Sequence, residues 1–380
     1  MERVLLALSG GVDSSTAGIL LKNGGYDVVG CTMQLWDARR NPTLNGNTRI
    51  GRCCSIDDVY DARRIAERLG FPFYVLNFEE QFEKSVIEPF IGQYLRGQTP
   101  IPCTLCNTFL KFDKLLSFAK SVGINKIATG HYARTIEDPE EGPVLLRGLD
   151  EKKDQSYYLF ELSQNQLAST VFPVGNYRKD EIRGIAGREG LATASKPDSQ
   201  EICFVPDGDY AAFIRRHAGE VDEALLPILN EREKPGPVYF KDGTRLGTHH
   251  GIHHFTVGQR RGLGIAYSVP LYVLRLDLEN NAVIVGLKED VYSRELVAKK
   301  VNWISRQFPD GPIPAQVRIR SNHRAAEARI TLERGKGCSQ PLRARVVFDE
   351  PQLAVTPGQA AVFYQGERVL GGGWIETSIQ

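Results

Sequence analysis

The sequence predicts an α/β protein. A doubly wound parallel sheet comes first, followed by a small β-rich central domain and a C-terminal antiparallel β-barrel. Three observations predict it. Over the first two hundred residues, short apolar runs of strand length alternate with segments of helical period. The first strand runs straight into a glycine-rich loop and then a helix, the arrangement of a nucleotide-binding sheet. Beyond Pro206 the helical period gives way to short alternating runs separated by Gly and Pro. At 380 residues the chain is too long for one core. We expect boundaries that give a nucleotide domain over 1–205, a central domain over 206–292 and a barrel over 293–380.

The phosphate loop is Ala7-Leu8-Ser9-Gly10-Gly11-Val12-Asp13-Ser14-Ser15. Val4-Leu5-Leu6-Ala7-Leu8 leads in as a strand, and Thr16-Ala17-Gly18-Ile19-Leu20-Leu21 leads out as a helix. The first backbone N–H groups of a helix have no intrahelical partner, and they sit at the positive end of its dipole. A phosphate is their natural ligand. Gly10 and Gly11 let it approach, Ser9 and Ser14 add hydroxyls, and Asp13 is placed to hold Mg²⁺ on the phosphates. The loop lacks the Gly-Lys-Ser/Thr of a Walker A motif and the third glycine of a dinucleotide fingerprint. A plain strand–helix turn with a Ser or Asp cap is the alternative reading.

Next, Asp27 to Met33 reads as a second strand, with Met33 at its carboxyl end, where nucleotides bind. Asp37 to Arg52 reads as a polar loop, and Ser55 caps a helix through Leu69, with Cys53 and Cys54 just before it. Phe73 to Asn77 is a third strand, and a helix from about Phe82 to Arg96 leads to a two-proline loop. Cys103 and Cys106 close that loop where a helix from about Phe109 begins, a position that favours the thiolate. Small packing residues or half of a zinc site are the alternatives there. Ile124 to Tyr132 is a strand ending in Gly130-His131, where a ligand would lie. Lys153-Asp154-Gln155 precedes two tyrosines as a polar turn or an RNA-facing surface, and Cys203 stands between charged residues and an apolar pair.

In the second half, Asn280-Asn281 reads as a hairpin turn, and His249, His250, His253 and His254 cluster in a segment better read without metal. Val317-Arg318-Ile319-Arg320 and Leu342-Arg343-Ala344-Arg345-Val346 alternate, which puts arginines on one strand face: a solvated face or a phosphate-tracking RNA surface. With 42% hydrophobic and 24% charged residues, the chain falls in the ordinary globular class. The N-terminal apolar run is too short for a signal peptide or membrane span, so a cytoplasmic protein is expected. Seven unevenly spaced cysteines then argue for chemically active thiols, not a disulfide scaffold. A net charge of +1 means that any RNA-binding charge is gathered into patches.

The loop Ser-Gly-Gly-Val-Asp-Ser-Ser resembles that of the N-type ATP pyrophosphatases, which adenylate a carbonyl oxygen and release pyrophosphate. Six further strings follow in order: Leu105-Cys106-Asn107, Ala128 to Tyr132, Lys153 to Tyr157, Asp198-Ser199 with Ile202-Cys203-Phe204, Gly258-Gln259-Arg260 and Gly371-Gly372-Gly373. Together they resemble the bacterial tRNA 2-thiouridylases over the whole chain. That resemblance implies ATP and Mg²⁺ as cofactors, with the adenine beside Met33 and the nucleotide touching Gly130. It implies Cys203 as the persulfide carrier and Cys106 as its partner nucleophile, the two ending in a disulfide. Sulfur would come from a cysteine desulfurase through relay proteins. The substrate would be the anticodon stem-loop of a tRNA, its uridine flipped out of the stack. Ile101, Pro102, Cys103, His131, Lys153, Asp154, Gln155, Arg320 and Gln359 would contact it, with the protein a monomer. One departure stands out. Where the family reads Asn-Pro-Asp-x-x-Cys, this chain reads Ile101-Pro102-Cys103-Thr104-Leu105-Cys106. Any acid–base role of that aspartate is lost, and Cys103, Cys106 and Cys203 gain the option of a [4Fe-4S] cluster beside metal-free persulfide chemistry. Rival readings are another adenylating enzyme on this loop, or a non-catalytic RNA-binding or redox-sensing protein.

Overall fold

A computed structural model describes residues 1–36, 56–198, 202–205, 207–334 and 341–379. The expected loop from Asp37 to Arg52, Cys53, Cys54 and the Ser55 cap lie outside the described residues, as does Ser199. The chain divides into two compact units. Unit 1 takes Met1–Ser85, Cys103–Asp209 and Glu367–Val369; unit 2 takes Val86–Pro102, Tyr210–Gly366 and Leu370–Gln380.

In unit 1, β1 (Arg3–Ala7), β2 (Asp27–Gln34), β3 (Phe73–Asn77), β4 (Lys126–Ala128) and β7 (Thr170–Val171) form a sheet in the order β3-β2-β1-β4-β7. All its pairings are parallel. Val4, Leu5 and Leu6 on the central strand are at most 1% exposed, because a parallel strand is covered on both faces. The order reverses between β1 and β4, and α1 (Val12–Asn23) starts at that switch point. Along α1, Ala17, Ile19 and Leu21 pack with Val4, Leu6 and Leu8 and with Ala62 and Ala66 of α2 (Ile56–Leu69) in one core. Between β4 and β7 an antiparallel hairpin, β5 (Ala133–Asp138) with β6 (Gly142–Arg147), stands outside that sheet.

The helical run after the two-proline loop starts earlier than its pattern predicts. It begins at Pro102, takes π geometry over Cys106–Lys114 and ends at Ser121. Proline at the first helical position costs no hydrogen bond, so Pro102 opens the helix instead of delaying it.

In unit 2, β8 (Gly236–Phe240), β9 (Arg245–His249), β10 (Tyr272–Asp277) and β11 (Ala282–Gly286) form a sheet in the order β10-β11-β8-β9. Asn281 takes φ 46 in the tight turn between β10 and β11, as the Asn-Asn pair predicts. A helix over Leu225–Arg232, which the sequence reading passed over, precedes this sheet. The remaining strands are β12 (Tyr292–Trp303), β13 (Ile313–Arg318), β14 (Ala326–Arg334), β15 (Pro341–Leu353), β16 (Ala360–Gln365) and β17 (Arg368–Ile379). They run in the order β12-β15-β14-β13-β16-β17, and β17 pairs back onto β12 to close a six-stranded antiparallel barrel. Trp303, Phe348, Phe363 and Ile375 fill it.

The two arginine alternations fare differently. β13 ends at Arg318, and Val317, Arg318 and Ile319 are all buried, so the alternation does not persist and Arg318 donates inward to the Ser321 carbonyl. Arg320 lies beyond the strand, half-exposed. On β15 the alternation holds, but Arg343 pairs with Glu376 at 3.1 Å and Arg345 donates twice to Glu295, at 3.0 and 2.6 Å. The barrel's own carboxylates thus offset this charge. Of the histidine cluster, His249 and His253 are buried while His250 is exposed; His249 accepts from Gly251 N–H through Nδ1 and faces the Asn281 carbonyl through Nε2.

Phe363 is fully buried, 6.4 Å from the Trp303 ring. Phe363→Ala should lower the urea midpoint of barrel unfolding by the equivalent of about 3–5 kcal/mol, read by tryptophan fluorescence.

Candidate active site

The phosphate loop is built by unit 1. Gly10 turns at φ +69, and a Cβ there would lie 2.5 Å from the Asp58 carbonyl oxygen, so only glycine fits. Ser9 N–H donates to Ser14 Oγ at 3.1 Å, and the two hydroxyls lie 3.1 Å apart. Ser14 and Ser15 hydroxyls also donate to the Gly11 carbonyl, at 3.2 and 2.6 Å. Leu8 is fixed on both sides: its N–H donates to Cys31 O, and its carbonyl accepts from Thr32 Oγ1. At Gly130 the need is close approach, since a Cβ would meet Ser14 N at 2.7 Å. Met33, 8% exposed, sits at the end of β2.

Ion pairs radiate from this loop. Lys179 Nζ donates to both oxygens of Asp13, at 2.7 and 2.8 Å, and lies 2.8 Å from Asp198 Oδ1. Tyr132 Oη donates to Asp13 Oδ1 at 2.7 Å. Asp198 also accepts from Lys153 Nζ at 2.6 Å and Arg183 Nη2 at 3.0 Å. Burial works against ionisation of Asp198, yet the hydrogen bonds from Lys153 and Lys179 outweigh it and bring its pKa down to about 2. Lys196 Nζ donates to the Gly10 carbonyl at 2.9 Å, to Asp58 at 2.6 Å and to Asp61 at 3.1 Å. Burial opposes its charge, but the two carboxylates raise its pKa. Four cations therefore lie on or next to a loop shaped for phosphate, each held by a carboxylate that a polyanion can replace.

Sequence reading missed Lys179, Lys196, Arg183, Tyr132 and the carboxylates of Asp58, Asp61 and Asp198 as site residues. One signal was available. Lys179 opens the helix Lys179–Arg188, where the dipole disfavours a cation, so its partners had to come from outside the helix.

Several assigned roles change. In front of Asp13, where Mg²⁺ is expected, lies the Lys179 ammonium. Among the described residues no three His, Cys, Asp or Glu side chains are grouped to hold a metal, Cys103, Cys106 and Cys203 included. His131 lies inside unit 1. It is buried beside Phe112 and Phe172, 2.8 Å from Thr129 Oγ1, and burial keeps it neutral. Asp154 accepts the Gly148 and Ser156 amides, each at 3.1 Å. Gln155 clamps Tyr132, accepting its N–H and donating to its carbonyl, both at 2.9 Å. Both side chains thus hold local backbone around the site. Lys153 joins the site through Asp198. Within unit 2, Ile101 and Pro102 are buried, and Gln359 donates to the Thr99 carbonyl at 3.1 Å.

The thiols divide by environment. Cys31 is fully buried, and burial pushes it up to about 12, which removes it as a nucleophile. Cys103 is exposed, Cys106 and Cys203 are half-buried, and none of them is in a disulfide. The Cys106 turn is anchored by its neighbours: Asn107 donates to the Tyr158 carbonyl and Thr108 to Glu161 Oε2. Cys203 lies in a turn closed by Val205 N–H on the Ile202 carbonyl, and buried Phe204 packs edge-on to Phe82 at 5.7 Å. No helix among the described residues is long and apolar enough to cross a membrane.

Comparison with known proteins supplies three family models. One described as "tRNA methyl transferase HUP domain" matches residues 2–207. The "tRNA methyl transferase PRC-barrel domain" matches 225–287, and the "Aminomethyltransferase beta-barrel domain" matches 293–375. The tRNA-specific 2-thiouridylase MnmA of Solibacter usitatus is 53% identical over 380 residues, 99% of each chain. That of Acidobacterium capsulatum is 49% identical over 98% of each. That of Moorella thermoacetica is 49% identical over 99% of this chain and 100% of its own. A solved 4-thiouridine synthetase–RNA complex with bound ATP is 14% identical. It covers 60% of this chain and 53% of that one at a TM-score of 0.33, too distant to bear on function.

Lys179→Met strands two carboxylates, and it should cut ATP-dependent turnover by about 10²-fold or more, while Tyr132→Phe, losing one neutral donor, costs less; AMP release measures both. Asp198 has its pKa depressed below the ordinary 3.8, so its stabilisation is complete above about pH 3.8 and is lost as pH falls toward 2. Asp198→Asn should therefore flatten the acid limb of a Tm-versus-pH curve in that window. An unchanged limb would show that the pairs contribute nothing.

Proposed function

The chain belongs to the tRNA-specific 2-thiouridylase family, and from that premise we propose that it uses ATP to replace O2 of the tRNA wobble uridine with sulfur. The observation that carries this reading is one compact unit holding both a phosphate loop ringed by cations and the reduced thiols Cys106 and Cys203. The family model's description speaks of methyl transfer and the relatives' names of thiolation. The thiols favour the second: exchanging a carbonyl oxygen for sulfur needs an activated oxygen and a soft nucleophile.

Uridine O2 attacks the α-phosphorus of ATP, and pyrophosphate leaves. The loop amides and hydroxyls hold the phosphates, while Lys179, freed from Asp13 and Asp198, offsets their growing charge. The outer sulfur of a persulfide on Cys203 attacks C2, and AMP departs with the former O2. Cys106 thiolate then attacks Cys203 Sγ, the bond to the outer sulfur breaks, and that sulfur stays on C2 as the 2-thio group. The thiols end as a Cys106–Cys203 disulfide. Sulfur reaches Cys203 from a cysteine desulfurase or relay protein. Residues 206–292 and 293–380 hold the anticodon stem-loop, the enzyme works as a cytoplasmic monomer, and Mg²⁺ accompanies the nucleotide.

Incubation with tRNA, ATP, Mg²⁺ and a persulfide donor should yield 2-thiouridine and AMP. Cys106→Ser and Cys203→Ser should each lower 2-thiouridine by about 100-fold or more. Full turnover by either variant would favour another adenylating enzyme, and tRNA binding without AMP a non-catalytic protein.

A further inference from the structure

The reaction leaves two thiols oxidised, and the enzyme must recover them before its next cycle. Cys103 stands where that recovery can begin. It lies in the first turn of the helical run that carries Cys106, three residues earlier, so the two share one face. Thr104 and Leu105 between them are buried, while Cys103 is exposed and Cys106 half-buried. The shared face is therefore the outward one, and Phe109, 43% exposed, continues it one turn on. Residues three apart on a helix have Cα atoms about 5 Å apart, inside the range that a disulfide spans. The helix also changes to π geometry at Cys106, a rare form that occurs frequently at functional sites.

We propose that Cys103 is the resolving thiol of the catalytic cycle, a role that rests on the persulfide reading given above. Cys103 thiolate attacks Cys106 Sγ in the Cys106–Cys203 disulfide. A Cys103–Cys106 bond forms, the Cys106–Cys203 bond breaks, and Cys203 leaves as a thiolate ready for the next sulfur. The two oxidising equivalents now sit on an outward-facing Cys-x-x-Cys pair. An external protein dithiol reduces it by two further exchanges and carries the disulfide away. The half-buried Cys203 never has to meet that reductant. The thiol that replaces the family's usual aspartate thus supplies redox recovery in place of a carboxylate.

The test is a single turnover of persulfide-loaded enzyme with tRNA, ATP and Mg²⁺, without reductant, followed by acid quench and non-reducing peptide mapping. Cys103 and Cys106 fall on one tryptic peptide, running from Gly97 to Lys111, so their disulfide appears as that peptide two hydrogens lighter. A Cys106–Cys203 bond instead joins two peptides. Wild type should give the lighter single peptide and leave Cys203 open to alkylation. Cys103→Ser, a change at an exposed position, should give the joined peptides and label Cys203 about 10-fold less for each 2-thiouridine formed in that first turnover. Joined peptides as the main wild-type product, or equal labelling of Cys203 in both proteins, would overturn the role of Cys103. Formation of 2-thiouridine with no disulfide in either protein would overturn the persulfide reading beneath it.

Discussion

One ammonium group organises the active site. Lys179 sits between Asp13 on the phosphate loop and Asp198 on the approach to Cys203, within 2.8 Å of each. Without it two carboxylates would face one another in a partly buried pocket and repel at close range. With it the pocket is near neutral and carries its positive charge in a transferable form. Lys153 and Arg183 on Asp198, and Lys196 on Asp58 and Asp61, repeat the device. A triphosphate entering such a site exchanges carboxylate partners for phosphate partners, so little cationic charge is ever left unpaired.

Around that centre, much of what resembles recognition chemistry is support. Gln155 holds Tyr132 by both its backbone groups, and Tyr132 holds Asp13. Asp154 closes the turn that carries Gln155. Such side chains hold residues of the loop in place, and their geometry fixes how well the loop is preorganised. The thiols follow the same economy. Burial silences Cys31, while the accessible ones sit where backbone contacts and a single aromatic anchor hold their turns.

In unit 2 a charge pattern coincides with internal ion pairs. Arg343 and Arg345 alternate as an RNA-facing strand should, yet each answers a glutamate across the barrel wall, on β17 or β12. Cross-strand partners come from strands distant in sequence, so a run of five residues cannot reveal that its charges are already matched.

The sequence alone determined the layers of the fold. The parallel sheet, its phosphate loop at the first strand–helix junction and the Asn280-Asn281 hairpin all follow from local periodicity and turn chemistry, which act over a few residues. The loop itself was legible as well, because Ser-Gly-Gly-Val-Asp-Ser-Ser between a strand and a helix is a short-range signal. Tertiary structure alone decided the rest. It buried His131 between two phenylalanines, put an ammonium where a magnesium ion was expected at Asp13, and turned Arg318 inward. It also set Cys103 outward and drew Lys179 and Lys196 to carboxylates from distant segments. Burial and ion pairing depend on which segments meet in space, and a one-dimensional pattern carries the propensity of each segment without the identity of its partner.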